Sequence, residues 1–204
     1  MRTSGPRPDS GLSVLPTLSF ATGHQEKDGA LTMKFLKAII VGGLVAGVLD
    51  ITYAFIVYGP LSYQMTPVQI LHSVAAGWIG HDAADAGGAA TAVLGLCAHF
   101  MIATGMAAVF VFSAKRMPAL KSHPVTWGFI YGIGLYLAMN YLIVPLSAAH
   151  ASQHFAANLQ EVISRLQVSF SSVRPKDPWQ LFGTLFTHTV FVGVPIALVN
   201  KRLT

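Results

Sequence analysis

Charged residues are scarce in this chain of 204 residues: 13 Lys and Arg and 8 Asp and Glu together make up 10% of it, whereas 53% is hydrophobic. About a quarter of the residues of a soluble domain are charged, so this composition argues against one. The single cysteine, Cys97, excludes a disulfide scaffold. The net charge of +5 is spread too thinly to form a basic stripe for nucleic acid. An integral membrane protein is the class that remains.

Four apolar segments have the length of about 20 residues that a bilayer requires. They span about residues 35–59, 88–114, 125–147 and 178–200. Each is apolar on nearly all sides, which distinguishes it from a helix at the surface of a soluble core. The sequence therefore predicts an all-α transmembrane domain over residues 33–204, a four-helix bundle whose first partner is the lipid bilayer.

Lysine and arginine are distributed unevenly between the two sides of these spans, and basic residues favour the cytoplasmic side. Seven basic residues lie on one side: Lys34, Lys37, Lys115, Arg116, Lys121, Lys201 and Arg202. Three lie on the other side: Arg165, Arg174 and Lys176. The distribution predicts a multi-pass protein with both termini in the cytoplasm (N-in/C-in).

Residues 1–32 differ from the rest in composition, because they contain three prolines and several Gly and Ser without a hydrophobic period. Such a segment is typical of a disordered tail. Met33 opens the sequence MKFLKAIIVGG, a short basic start followed directly by an apolar run. We therefore expect Met33 to be the natural start and residues 1–32 to be absent from the native protein.

The two connections on the outer side each contain an amphipathic pattern. Thr66-Pro67 is typical of a helix start, with an N-cap followed by proline at the first helical position. The second pattern runs from about Ala148 to Phe170. Both predict helices that lie on the outer bilayer surface or cover the bundle.

One face of the second helix would carry His150, His154 and Glu161, which could bind a divalent metal ion. The alternative is that the three form the solvated face of an amphipathic helix. This alternative is favoured, because tetrahedral zinc needs a fourth ligand that the face does not supply.

The two halves of the chain resemble each other at an offset of 85 residues. Gly43-x-x-x-Gly47 in the first span corresponds to Gly128-x-x-x-Gly132 in the third, and both spans end in Pro-Leu-Ser. Because both halves start on the same side, the pattern predicts a parallel repeat about an axis along the membrane normal. Small residues of this kind serve contacts within one chain or between copies, so a homo-oligomer or a membrane-complex partner also fits.

Each span carries one polar side chain at a similar depth, about 10–17 Å from its outer end at 1.5 Å per residue. The four are Asp50, His99, Asn140 and His188. Small residues such as Gly47 and Gly132 share their faces, so the polar groups should point into the bundle. The sequence predicts a buried polar cluster of these four residues, with Tyr53 or Tyr136 as further members.

Three interpretations of this cluster remain open. Asp–His and Asn–His hydrogen bonds could simply join the helices. His99 and His188 could ligate a b-type haem or, with Asp50, a transition metal. Asp50 and the histidines could instead serve a proton-linked transporter or an accessory membrane subunit. The sequence contains no His-Glu-x-x-His, Cys-x-x-Cys or Gly-x-Ser-x-Gly motif, so no enzymatic reaction is predicted.

Short stretches resemble small inner-membrane proteins of Gram-negative bacteria, and the chain is similar to the YagU-like group. The stretches are GLVAG (residues 43–47), His99, VPLS (144–147) and FGTLFTHTVF (182–191). The resemblance implies a four-span protein of the bacterial inner membrane. That group has a loose association with acid tolerance, which would suit a buried titratable cluster.

Overall fold

The computed structural model describes Met1, residues 18–171 and residues 178–204, and the described residues contain helices and no strand. Four helical segments in this part are long and apolar enough to cross a membrane. They are Gly29–Leu61, Gly88–Arg116, Pro124–Leu146 and Leu181–Leu203, and we call them spans 1 to 4. The prediction of an all-helical chain with four spans is confirmed.

The described part of the chain contains ten α-helices and three π-helical segments, the first of which is kinked at Gly59. The α-helices are α1 (Leu18–Ile56), α2 (Pro67–Ile79), α3 (His81–Ala86), α4 (Gly88–Arg116), α5 (Ala119–Ser122), α6 (Pro124–Ala138), α7 (Val144–Leu146), α8 (Leu159–Ser171), α9 (Pro178–Phe186) and α10 (Val194–Leu203). The π-helical segments are Val57–Leu61, Met139–Ile143 and Thr187–Gly193, which lie in spans 1, 3 and 4.

The chain divides into two units, Met1–Met33 and Lys34–Thr204. The first unit corresponds closely to the predicted disordered tail. Its residues from Leu18 onward are helical in the structure, as the first turns of α1. Good helix formers in this stretch, including Glu26, Lys27 and Leu31, favour that conformation. Residues 2–17 of the predicted tail lie outside the described residues.

The second unit is held together where glycines allow two spans to touch. A β-carbon at Gly43 would lie 2.5 Å from the Cα of Thr104, and one at Gly47 would lie 2.7 Å from the Phe100 ring. A β-carbon at Gly128 would similarly lie 2.7 Å from the Cα of Val194. Contacts this short leave no room for a side chain, so the two predicted glycine motifs pair span 1 with span 2 and span 3 with span 4.

One end of the bundle, which we call the basic end, gathers Lys and Arg side chains. Lys115 and Lys121 lie over the Phe35 ring, 5.2 and 5.9 Å from its centroid. Toward this end a core forms around Phe110 and Ile196, both 1% exposed. Lys201 and Arg202 lie in the last turn of α10, which also packs against α5, so four of the seven basic residues of the sequence pattern lie on segments that meet at this end.

The opposite end, which we call the capped end, is covered by α2, α3 and the connection between spans 3 and 4. Helix α2 begins as predicted, because the Thr66 side chain accepts from the backbone of Gln69 and Pro67 is the first helical residue. It packs into the bundle with Ile70 and His72 buried, since Gly95 of span 2 leaves room for its backbone. Ala75 and Ala76 are buried with them, whereas Val68 and Trp78 are exposed.

The second connection differs from its prediction, because α8 begins at Leu159 and residues 148–158 are not helical. Asn158 is its N-cap, with its side-chain oxygen accepting from the backbone N–H of Glu161 at 2.9 Å. The buried Arg165 side chain then donates to the carbonyls of Ser147 and His154 and forms a salt bridge with Glu161. The Ala157 backbone N–H and this guanidinium hold the pKa of the Glu161 carboxyl below its ordinary value.

We expect Gly132→Ala to lower the thermal unfolding midpoint by several degrees. A β-carbon there would lie 2.8 Å from the carbonyl carbon of His188, and overpacking of this kind costs about 1–3 kcal/mol. Gly134→Ala is the matched control, because a β-carbon at Gly134 meets nothing within 4 Å. The midpoints can be followed in detergent by tryptophan fluorescence. Equal midpoints for the two variants would contradict the described contact between spans 3 and 4.

Candidate functional site

A cavity of about 500 Å³ lies between the four spans in the second unit. Every span contributes to its wall, and α2 and residues 147–155 border it at the capped end. Its lining is mainly apolar, with Ile102, Met106, Met139, Phe155 and Val192 among the larger side chains. A concave, mostly apolar space with a few polar groups is the usual form of a small-molecule site.

Three of the four predicted cluster residues, Asp50, His99 and His188, lie together on the wall of this cavity. The same three also line a second cavity of about 220 Å³, whose wall includes Tyr53 and Tyr58. Asp50 interacts electrostatically with both histidines. The three side chains therefore separate a larger apolar cavity from a smaller, more polar one.

The hydrogen bond of His99 fixes which of its ring nitrogens carries the proton. Its Nε2 lies 2.9 Å from the carbonyl oxygen of Gly47, which can only accept, so Nε2–H is the donor. The Nδ1 atom faces Asp50, 3.9 Å from Oδ2. This distance is too long for a hydrogen bond, so the Asp50 carboxylate and His99 are neighbours rather than a bonded pair.

His188 has the opposite arrangement. Its Nδ1 lies 2.8 Å from the carbonyl oxygen of Thr184, so Nδ1–H donates and Nε2 of the neutral ring is an acceptor. His188 belongs to the π-helical segment that precedes Pro195, which has no N–H and whose ring clashes with the preceding turn. The hydroxyls of Thr187 and Thr189 donate to the carbonyls of Gly183 and Leu185 in α9, four residues before each.

The structure does not bring Asn140, the fourth predicted member, to this site. Its side-chain amide donates to the Tyr136 carbonyl of its own helix at 2.9 Å and is exposed. Asn140 lies in the π-helical segment Met139–Ile143, so the regular period of 3.6 residues used to place it does not apply. Tyr53 lines the smaller cavity, and the Tyr136 ring lies against His188 with centroids 6.1 Å apart.

The predicted metal ligands are not assembled into a metal site. Within residues 18–171 and 178–204, no three His, Cys, Asp or Glu side chains are placed to hold an ion. His154 lies 3.8 Å from Glu161, but the Nδ1 of His150 contacts Ser152 instead. The common helical face that would align His150, His154 and Glu161 does not exist, because α8 begins only after both histidines.

Sequence reasoning missed several residues of the site, among them Ser73 and the hydrogen-bonded side chains of Tyr58 and Thr184. Ser73 belongs to a connection rather than to a span, so depth along a span could not identify it. A second His–Asp pair was also missed: His72 Nε2 lies 2.8 Å from the Gly88 carbonyl, and Nδ1 lies 3.5 Å from Asp85. The spacing of these two residues gives no helical signal, since they belong to different helices.

Comparison of the chain with protein-family models, with curated proteins and with solved structures found no match. The class of protein is therefore inferred from the composition and the exposed surface of the structure. Large apolar side chains such as Val48, Met101 and Phe112 are more than half exposed on the spans, which is unfavourable in water and favourable in lipid. The chain is a multi-pass membrane protein with an all-α fold.

We expect the neutral histidines to be opposite tautomers, with the proton on Nε2 in His99 and on Nδ1 in His188. Each follows from a ring nitrogen facing a backbone carbonyl. Nitrogen-15 chemical shifts of histidine-labelled protein at alkaline pH distinguish the two forms, and His99→Phe and His188→Phe assign the signals. The same tautomer at both positions would contradict the described contacts.

Proposed function

We propose that this protein binds a small, largely apolar molecule within the membrane. The cavity of about 500 Å³ between the spans carries this proposal. Its volume falls within the range of about 300–1,000 Å³ that is typical of ligand pockets. All four spans contribute side chains to it, so the bundle as a whole is organised around this space.

The polar residues of the wall favour a binding site over a purely structural cluster. His99 joins span 2 to span 1 through the Gly47 carbonyl, whereas His188 donates to Thr184 of its own span and Asp50 lies 3.9 Å from the nearer imidazole nitrogen. Within the described part of the chain, neither His188 nor Asp50 is therefore held by a hydrogen bond between side chains of two spans. Polar groups within a membrane are costly unless they find partners. A bound molecule or water would provide those partners at Asp50 and at Nε2 of His188.

The contacts do not favour haem or metal ligation by the two histidines. An axial ligand needs an unoccupied ring nitrogen directed at the metal. Each histidine keeps one ring nitrogen free of the backbone, but among the described residues no three His, Cys, Asp or Glu side chains are placed together to hold an ion. The second candidate function is a proton-linked transporter that uses Asp50, which the smaller polar cavity on the other side of the same residue favours.

We also propose that the chain lies in a bacterial inner membrane with both termini in the cytoplasm (N-in/C-in). The gathering of basic side chains at one end of the bundle supports the orientation. The resemblance of short stretches to the YagU-like group is the reason for proposing that membrane. In this orientation the capped end and the border of the cavity face away from the cytoplasm.

We expect the small apolar photoprobe azi-adamantane to label the cavity, with adducts on Met106 and Met139 that excess unlabelled adamantane suppresses. Ile102→Trp should abolish these adducts, because Ile102 lines the cavity and the larger ring would fill it. Met101→Trp is the matched control, since the neighbouring Met101 is 52% exposed on the outer face of the same helix. Mass spectrometry locates the adducts.

Labelling confined to outward-facing residues such as Met101, or adducts on Met106 that excess adamantane does not suppress, would overturn the proposed binding site. Unfolding midpoints of both variants, measured in parallel, show whether loss of labelling reflects loss of the fold.

We expect single cysteines at the two ends to differ in their accessibility from outside the cell. In a Cys97→Ala background, Ala151→Cys at the capped end should react with an impermeant maleimide in intact bacterial spheroplasts. Ser122→Cys at the basic end should react only after permeabilisation. Both residues are exposed in the folded chain, so a difference in labelling reports orientation rather than burial. The reverse pattern would contradict N-in/C-in.

A further inference from the structure

We propose that the ligand of the cavity carries a protonated amine and that Asp50 is its counterion. This inference rests on the proposed function and specifies the chemical class of the bound molecule: an organic ammonium ion with an apolar body. The donor and acceptor atoms on the wall carry the argument.

Hydrogen-bond donors on the wall of the larger cavity are already used within the protein. The ring N–H of His99 donates to Gly47 and that of His188 to Thr184. The hydroxyls of Ser73 and Ser147 donate to the carbonyls three residues before them, at 2.7 and 2.8 Å. Trp78, the remaining lining residue with a donor group, is 46% exposed at the capped end.

The acceptors on the wall lack such partners. With their protons committed to backbone carbonyls, the neutral imidazoles offer Nδ1 of His99 and Nε2 of His188 as acceptors. The Asp50 carboxylate contributes two oxygens, and its side chain is 29% exposed. A molecule that enters the larger cavity therefore meets acceptors beside Asp50, while the side-chain donors of that cavity other than Trp78 are already committed.

The charged residues near the two cavities also favour a cationic ligand. Among the described residues, no lysine or arginine lines either cavity. The neutral imidazoles carry no charge to offset that of the Asp50 carboxylate, and the nearer ring nitrogen, on His99, lies beyond hydrogen-bond distance. An anionic ligand would place a second negative charge beside Asp50, whereas an ammonium ion supplies both the donors and the opposite charge.

The remaining residues around Asp50 suit a molecule with an apolar body and a cationic group. Ile102, Met106 and Val192 form an apolar wall beside the polar residues. On the other side, Tyr53 and Tyr58 line the smaller cavity next to Asp50, and aromatic rings favour cations over anions. An apolar body would thus occupy the larger cavity, with its ammonium group at the boundary between the two.

Three adamantane derivatives of nearly equal size test the inference. They are 1-aminoadamantane, which is protonated at neutral pH, 1-methyladamantane and adamantane-1-carboxylate. Each compound is tested for its ability to compete with azi-adamantane for labelling of Met106 and Met139. We expect the amine to compete at about a tenfold to a hundredfold lower concentration than the methyl compound, as a charge-assisted hydrogen bond allows, and the carboxylate to be weakest.

Asp50→Asn should remove the preference for the amine while the methyl compound still competes. Asp85→Asn is the matched control, because Asp85 also faces a histidine but is 72% exposed and lines neither cavity. This variant should keep the full preference. If Asp50→Asn fails to fold, the comparison of the three compounds on the unmodified protein still decides.

The outcomes separate this inference from the function on which it rests. Equal competition by amine and methyl compound, or a preference for the carboxylate, would overturn the ammonium assignment and leave the apolar site intact. If none of the three compounds competes, the proposed binding site itself is overturned. Retention of the amine preference in Asp50→Asn would show that Asp50 is not the counterion.

Discussion

Close contact between helix backbones at glycine positions is the constraint on which the rest of the structure depends. Gly47 lets span 2 approach span 1 closely enough for His99 to reach a backbone carbonyl. Gly132 lies against the carbonyl group of His188, and Gly95 leaves room for α2 at the capped end. In lipid no hydrophobic force pulls the helices together, so packing and hydrogen bonds at these contacts must supply the association. The same contacts place two histidines beside Asp50 and leave the cavity where bulkier positions hold the spans apart.

Proline and π-helical segments give spans 1, 3 and 4 their irregular shape. Val57–Leu61 contains Pro60, whereas the π-helical segments of spans 3 and 4 each end two residues before a proline, Pro145 and Pro195. A wider turn accommodates the missing N–H of proline and turns the following residues relative to a regular helix. In span 4 this distortion surrounds His188, and in span 3 it coincides with Asn140 pointing out of the site. The backbone irregularity therefore determines which predicted polar residues meet.

Properties that depend on composition and local pattern could be predicted from the sequence, and these include the four spans and the start of α2 at Thr66-Pro67. Asp50, His99 and His188 could be predicted as neighbours, because equal depth along apolar helices is a local count. The direction of the Asn140 side chain could not be predicted, because the period of 3.6 residues per turn does not hold in the π-helical segment. His150 and His154 were assigned to a helix because the amphipathic pattern continues through them, whereas the Asn158 N-cap starts α8 later. The cavity itself depends on how all four spans pack, and no local sequence pattern predicts that packing.

The two His–Asp pairs show why environment, rather than residue type, defines the candidate site. In both pairs Nε2 of the histidine donates to a backbone carbonyl and Nδ1 faces a carboxylate, at 3.5 Å for Asp85 and 3.9 Å for Asp50. Asp85 is 72% exposed, so water can solvate its charge and the pair needs nothing further. Asp50 lies on the wall of a largely apolar cavity between transmembrane helices, where solvation is limited and an unpaired charge is costly. The same arrangement that ends at a solvated carboxylate in the His72–Asp85 pair therefore presents, beside His99, a carboxylate that favours a cationic ligand.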